Sequence, residues 1–133
     1  MDVNASALVG IWELCSYVST DEAGHTTYPL GSNPHGLGIY TSDGTMSAQL
    51  MRTSASTNTE DTDSSRNYIA YCGSYQVNVD HHEVLHLVEC SIDRDWIGTV
   101  LRRNFTLNGG ELTLEPPLST TGSQSTLTWR RRS

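Results

Sequence analysis

The chain of 133 residues contains no lysine: its eight basic residues are all arginines, set against fifteen aspartates and glutamates, for a formal charge of −7 at pH 7. Without lysine, Schiff-base catalysis and phosphate binding by a P-loop are excluded. The only basic cluster is Arg130, Arg131 and Arg132. This balance opposes a nucleic-acid partner, whose sequence-independent affinity comes from cations that displace counterions. Cysteine is also scarce. Cys15, Cys72 and Cys90 lie far apart among apolar residues with no Cys-x-x-Cys pair, so no metal is expected and the three read as reduced core thiols. His82 and His86, on one face of a strand, would stand about 13 Å apart, too far to chelate one ion. No apolar run approaches the roughly 18 residues of a membrane span, and the first residues lack the basic and apolar regions of a signal peptide. A soluble, cytoplasmic protein is the expectation. Nucleotide-binding glycine motifs and Gly-x-Ser-x-Gly are missing as well, so neither a cofactor nor a serine nucleophile is expected.

What the chain does have is short alternating runs of β-branched, aromatic and polar residues between turn residues, with little helical periodicity. Eight strands are predicted, over residues 11–19, 36–41, 45–52, 71–79, 83–92, 99–107, 111–115 and 124–131. Ser42-Asp43-Gly44 and Asn108-Gly109-Gly110 are hairpin turns. Successive strands with short connections make an antiparallel up-and-down meander, and eight of them close into a barrel that removes exposed edges and can hold one small ligand. Residues 1–133 then form a single domain. Short helical turns are predicted at residues 5–9, capping one barrel end, and at 64–70; residues 53–65, rich in serine and threonine, read as a mobile loop.

Gly10-Ile11-Trp12 is a Gly-x-Trp pattern at the head of the first strand. It is joined by Tyr28-Pro29-Leu30-Gly31, the run 38–52, Tyr68-Ile69-Ala70-Tyr71, Val88-Glu89, Trp96-Ile97-Gly98-Thr99 and Arg102-Arg103. Together these segments resemble the lipocalin-like domain family of bacteria and fungi over nearly the whole chain. The resemblance implies an eight-stranded lipocalin-like barrel whose floor is closed by Trp12 stacked on an arginine from the far end, Arg130 or a neighbour. It also implies one of two functions. Some fungal members are cofactor-free isomerases or cyclases of natural-product pathways, and secreted lipocalins are carriers.

Strand alternation nominates the residues for such chemistry. Leu101, Arg103, Phe105 and Leu107 form an apolar row that turns Arg103 inward, where a charge must be paired or bind an anion. On the preceding strand, the row Leu85, Leu87, Glu89 would make Glu89 its partner. The opposite row, Val84, His86, Val88, would make His86 a general base that titrates near neutrality. One row excludes the other, and alternation does not choose between them. Glu89, Arg103 and His86 are therefore the catalytic candidates. Tyr40, Ser47, Gln49, Tyr71, Tyr75 and Trp96 are the candidates to line the pocket, with Gly73 leaving space between Tyr71 and Tyr75. The expected function is a cofactor-independent isomerase or cyclase of a small apolar metabolite, the alternative being a carrier that uses the same cavity without turnover. A homodimer is left open.

Overall fold

A computed structural model describes residues 5–53 and 67–132. Nine strands follow in chain order: β1 (Gly10–Thr20), β2 (Thr26–Thr27), β3 (His35–Tyr40), β4 (Thr45–Met51), β5 (Tyr68–Asn78), β6 (Glu83–Ser91), β7 (Val100–Asn108), β8 (Glu111–Glu115) and β9 (Gln124–Arg131). From β3 to β9 each strand pairs antiparallel with the next. β1 then closes the sheet by pairing with β3 on one side and β9 on the other. The result is a closed eight-stranded antiparallel barrel, to which β2 adds only two pairs beyond the end of β3. No helix among the described residues is long and apolar enough to cross a membrane.

The eight predicted strands are all present, with no end displaced by more than three residues and those of 111–115 and 124–131 unchanged. Both predicted hairpin turns hold a glycine at positive φ, Gly44 at 91° and Gly109 at 63°, a conformation that glycine adopts without a Cβ clash. The helical turn predicted at 64–70 is corrected where the structure describes it. Tyr68, Ile69 and Ala70 extend β5 by pairing with Met51, Leu50 and Gln49, so the ladder with β4 overrides local propensity. Residues 54–66, which hold the rest of that predicted turn and most of the predicted mobile loop, lie outside the described residues.

The floor is built from both ends of the barrel sequence. A 3-10 turn over Ala5–Leu8 lies under the first strand. Leu8 and Trp12 are wholly buried, and the Trp12 indole N–H donates to the Leu8 carbonyl at 3.0 Å. The arginine that stacks on Trp12 is Arg131, whose guanidinium carbon lies 4.3 Å from the ring centroid. It also donates to the carbonyls of Val9 at 2.9 Å and Ala7 at 2.8 Å, which ties β9 to the turn. Arg130 instead bridges to Glu13 at 3.2 Å.

Two bulges set which side chains face inward. One, at Cys15 between Leu14 and Ser16, shifts the inward row of β1 from Trp12 and Leu14 to Tyr17. The other lies on β6: Cys72 pairs with Cys90 but Gly73 pairs with Val88, so Glu89 has no partner across the ladder. Gly73 makes this possible, because a Cβ there would lie 1.9 Å from the Leu87 carbonyl oxygen. The space expected beside the two tyrosines is therefore taken by backbone. The three cysteines are not core thiols: Cys15 and Cys90 are exposed and Cys72 is half-buried, since they stand in outward rows or bulges.

Two stability measurements test this account. Arg131→Ala removes the stacked cation and two charge-assisted hydrogen bonds, and urea unfolding should show a loss of about 2–3 kcal/mol at unchanged m-value. Gly73→Ala should cost more, about 3 kcal/mol or above, because the clash is with backbone and cannot be relieved by a rotamer. A wild-type midpoint for either variant would contradict it.

Candidate site: a polar cluster inside the barrel

The β6 ambiguity is resolved by burial. Val84, His86 and Val88 are buried, with His86 only 2 % exposed, whereas Leu85 and Leu87 are half-buried on the outer face and Glu89 is exposed. Cross-strand register carries the inward row onto β7, where Arg103 stands opposite Val84 and Leu101 opposite His86. Arg103 and His86 therefore share the interior. Glu89 does not: it stands at the bulge beside Cys72, outside the barrel, and the expected Glu89–Arg103 pair does not form. Among the described residues Arg103 has no carboxylate within 4.0 Å; one of its nitrogens donates to the Arg102 carbonyl at 3.0 Å.

His86 is held from both sides. Its Nε2 lies 2.6 Å from the Tyr40 hydroxyl and its Nδ1 lies 2.7 Å from the Tyr71 hydroxyl. Tyr40 ends β3, Tyr71 lies near the start of β5 and His86 is mid-β6, so three strands each supply one member. Burial, assisted by the positive charge of Arg103, lowers the His86 pKa to about 3. The expectation that this imidazole titrates near neutrality is thus corrected, because a desolvated ring near a guanidinium has no compensation for a second positive charge. Burial likewise raises both phenols, Tyr40 well above its ordinary value with help from nearby Tyr71, while Arg103 pulls each of them back down.

Neutrality fixes the proton count. A neutral imidazole has one N–H and one lone pair, so one tyrosine donates to the ring and the other accepts from it. The accepting tyrosine keeps an O–H that the ring cannot use. Tyr40, Tyr71, His86 and Arg103 all line a cavity of about 80 Å³ with mostly apolar walls. By the same measure a single water needs roughly 10–15 Å³, so the space holds several waters or the head of a small ligand. Trp129 also lines this cavity, and its buried indole N–H has no hydrogen-bond partner among the described residues. Tyr17, Ile69 and Trp96 border both the cavity and a wider surface groove of about 540 Å³.

The predicted lining residues divide. Tyr40, Tyr71 and Trp96 line the cavity, Trp96 from the 3-10 turn Arg94–Trp96 with its ring edge-on to Tyr71 at 5.6 Å. Tyr75 is absent from the lining: its ring packs on Tyr40 at 4.8 Å and its hydroxyl donates to the Thr41 carbonyl at 2.6 Å. Ser47 and Gln49 belong to the outward row of β4, opposite buried Met46, Ala48 and Leu50. Ser47 touches the cavity margin, and Gln49 is exposed and accepts from the Tyr68 hydroxyl at 3.0 Å. Single-strand alternation does not point to Trp129 as a donor and does not link Tyr40, His86 and Tyr71; Tyr40 and Tyr71 lie 46 and 15 residues from His86, and only register joins the three.

A family model described as a lipocalin-like domain matches residues 9–132. The chain belongs to the lipocalin-like domain family. Its closed wall, its Trp12 floor and its internal cavity are those of a ligand-binding barrel. No curated protein matches the chain. Its interior holds a neutral Tyr–His–Tyr chain beside a cation that has no carboxylate within 4.0 Å among the described residues.

The depressed imidazole pKa has a sign for stability. An unfolded histidine takes up a proton near pH 6.5, whereas His86 resists until about pH 3. Its contribution is complete above about pH 6.5 and is lost as pH falls from there towards 3, at up to about 1.4 kcal/mol per unit. In urea titrations at pH 7.5, 5.5 and 4.5, His86→Gln should lose less stability with acid than the wild type. Parallel pH dependence in the two proteins would contradict the assignment.

Proposed function

We propose that this lipocalin-like barrel is a cofactor-independent isomerase or cyclase for a small, largely apolar metabolite, of the natural-product type, that carries one anionic or anion-forming oxygen. The observation that carries this reading is the hydrogen-bonded chain Tyr40–His86–Tyr71 in the cavity beside Arg103. Such a chain moves protons without creating charge. One phenol gives its spare O–H proton to the substrate and is refilled from the near imidazole nitrogen. The far nitrogen takes the proton of the second phenol, whose oxygen accepts a proton from another position of the substrate. The imidazole ends neutral in its other tautomer, and the substrate has lost one proton and gained one. Because no imidazolium forms, a strongly lowered pKa is no obstacle.

Arg103 would face the oxygen on which negative charge develops, a role in which one preorganised donor is worth roughly 10²–10³ in rate. The Trp129 N–H, which has no partner among the described residues, offers a second donor to an acceptor on the ligand. The apolar walls supply positioning, and the groove past Trp96 leaves room for a tail larger than the cavity itself.

The second reading, a carrier, rests on the same apolar walls and predicts binding without proton transfer. The two separate in heavy water. A panel of small enolisable aryl ketones and 1,3-diketones is offered to the protein, with binding read by tryptophan fluorescence and exchange at the α-carbon read by proton NMR. The isomerase reading expects accelerated exchange for a ligand that binds. Arg103→Met should lower it by about 10²-fold, and Tyr71→Phe or His86→Gln by a similar factor, with binding retained within about tenfold. Compounds that bind with no acceleration over buffer would overturn it in favour of the carrier.

A further inference from the structure

The outer face of the barrel carries a pair of groups that the cavity chemistry does not use. Cys72 on β5 and Cys90 on β6 are direct partners in the ladder, and both are free thiols. Directly opposed residues of an antiparallel pair place their side chains on the same face, with Cα atoms about 4.5–5.5 Å apart. A disulfide requires a Cα separation of about 4.4–6.8 Å, so the ladder already holds the two residues in the bonding range. They face a shallow groove on the outside of the barrel, with Ser47 and Gln49 on the neighbouring strand. Cys90 is exposed and Cys72 half-buried, so an oxidant reaches Cys90 first. The bulge at Glu89 lies directly beside the pair, where the ladder is already interrupted and can follow a small change in strand spacing.

We propose that Cys72 and Cys90 form a reversible dithiol–disulfide site, oxidised by small hydroperoxides, that clamps β5 to β6 at the bulge. The inference is independent of the reading of the cavity as catalytic. In the first step the Cys90 thiolate attacks a peroxide oxygen: an S–O bond forms, the O–O bond breaks, and the other oxygen leaves as an alcohol or water after taking a proton. In the second, the Cys72 sulfur displaces hydroxide from the Cys90 sulfenic acid. The S–S bond forms, the S–O bond breaks, and hydroxide leaves as water with the Cys72 proton. Two electrons pass from the thiol pair to the peroxide, and a dithiol reductant reverses the change. Partial burial, with Cys90 and Glu89 close by, raises the Cys72 thiol pKa, in keeping with Cys72 as the group that resolves rather than initiates. Cys15 stands on β1, apart from the pair, and is the internal control.

The test uses the reduced, full-length protein and hydrogen peroxide as the probe. After oxidation the protein is alkylated with N-ethylmaleimide, digested without reduction and mapped by mass spectrometry. The three free thiols should fall to one, the intact mass should drop by two hydrogens, and a single linked peptide should join Cys72 to Cys90 while Cys15 carries the label. Dithiothreitol should restore all three. In Cys72→Ser, Cys90 should stop at the sulfenic acid and be trapped by dimedone, an adduct that the wild type largely lacks. Three labelled thiols after oxidation, separate sulfinic acids on Cys72 and Cys90, or disulfides only between chains would each overturn the proposal.

Discussion

The seam between β1 and β9 is the constraint on which the rest of the structure depends. It runs from Trp12 against Arg131 to Thr20 against Gln124, and without it the sheet would be an open ribbon with two bare edges. Closure is what gives the sheet an inside. Once there is an inside, each strand has one row that must be apolar or satisfied and one row that need not be. A register step of one residue would exchange them, so the seam and the two bulges together decide which side chains meet in the lumen.

The polar groups admitted to that lumen are few, and each alters its neighbours. Tyr40 and Tyr71 use both ring nitrogens of His86, which lets a buried imidazole remain neutral with no unmet hydrogen bond. Burial, with Arg103 assisting, keeps the ring from charging, and Arg103 makes phenolate less unfavourable than burial alone would. On the proposed reading, a site arranged in this way would work by neutral proton relay rather than by conventional acid–base titration. The chain is strongly acidic as a whole, yet among the described residues the charged side chain that reaches its cavity is a cation, Arg103. On the proposed reading, that inversion would match an electron-rich head on the ligand, and the mostly apolar walls its remainder.

Much of this fold was legible in the sequence because its signals are local. Alternation, Asp-Gly and Asn-Gly turns and Gly10-Ile11-Trp12 marked the strands, the hairpins and the floor, and an arginine next to the one first named stacks on Trp12. The inward turn of Arg103 was legible for the same reason, since its row is apolar on only one face. The β6 rows were not, because Val84, Leu85, Leu87 and Val88 are apolar on both faces and periodicity carries no choice there. Glu89 was misdirected by a bulge that depends on Gly73 meeting the Leu87 carbonyl, a contact between different strands. Ser47 and Gln49 were nominated for their chemistry, although their own alternation with Met46, Ala48 and Leu50 put them outside. The Tyr–His–Tyr chain and the Cys72–Cys90 pair exist only through register, which single-strand patterns do not encode.

The placement of β9 bears on how the molecule comes into being on the ribosome. Leu127 and Trp129 complete the cavity wall and Arg131 locks the floor, so strands made earlier have neither a finished lumen nor a sealed base while β9 is still in the exit tunnel. Its partner β1 precedes the other barrel strands in the chain and must wait through their synthesis. During that interval the apolar faces of the nascent sheet are uncovered, a period of exposure to chaperones that a fold built from local pairings alone would not have.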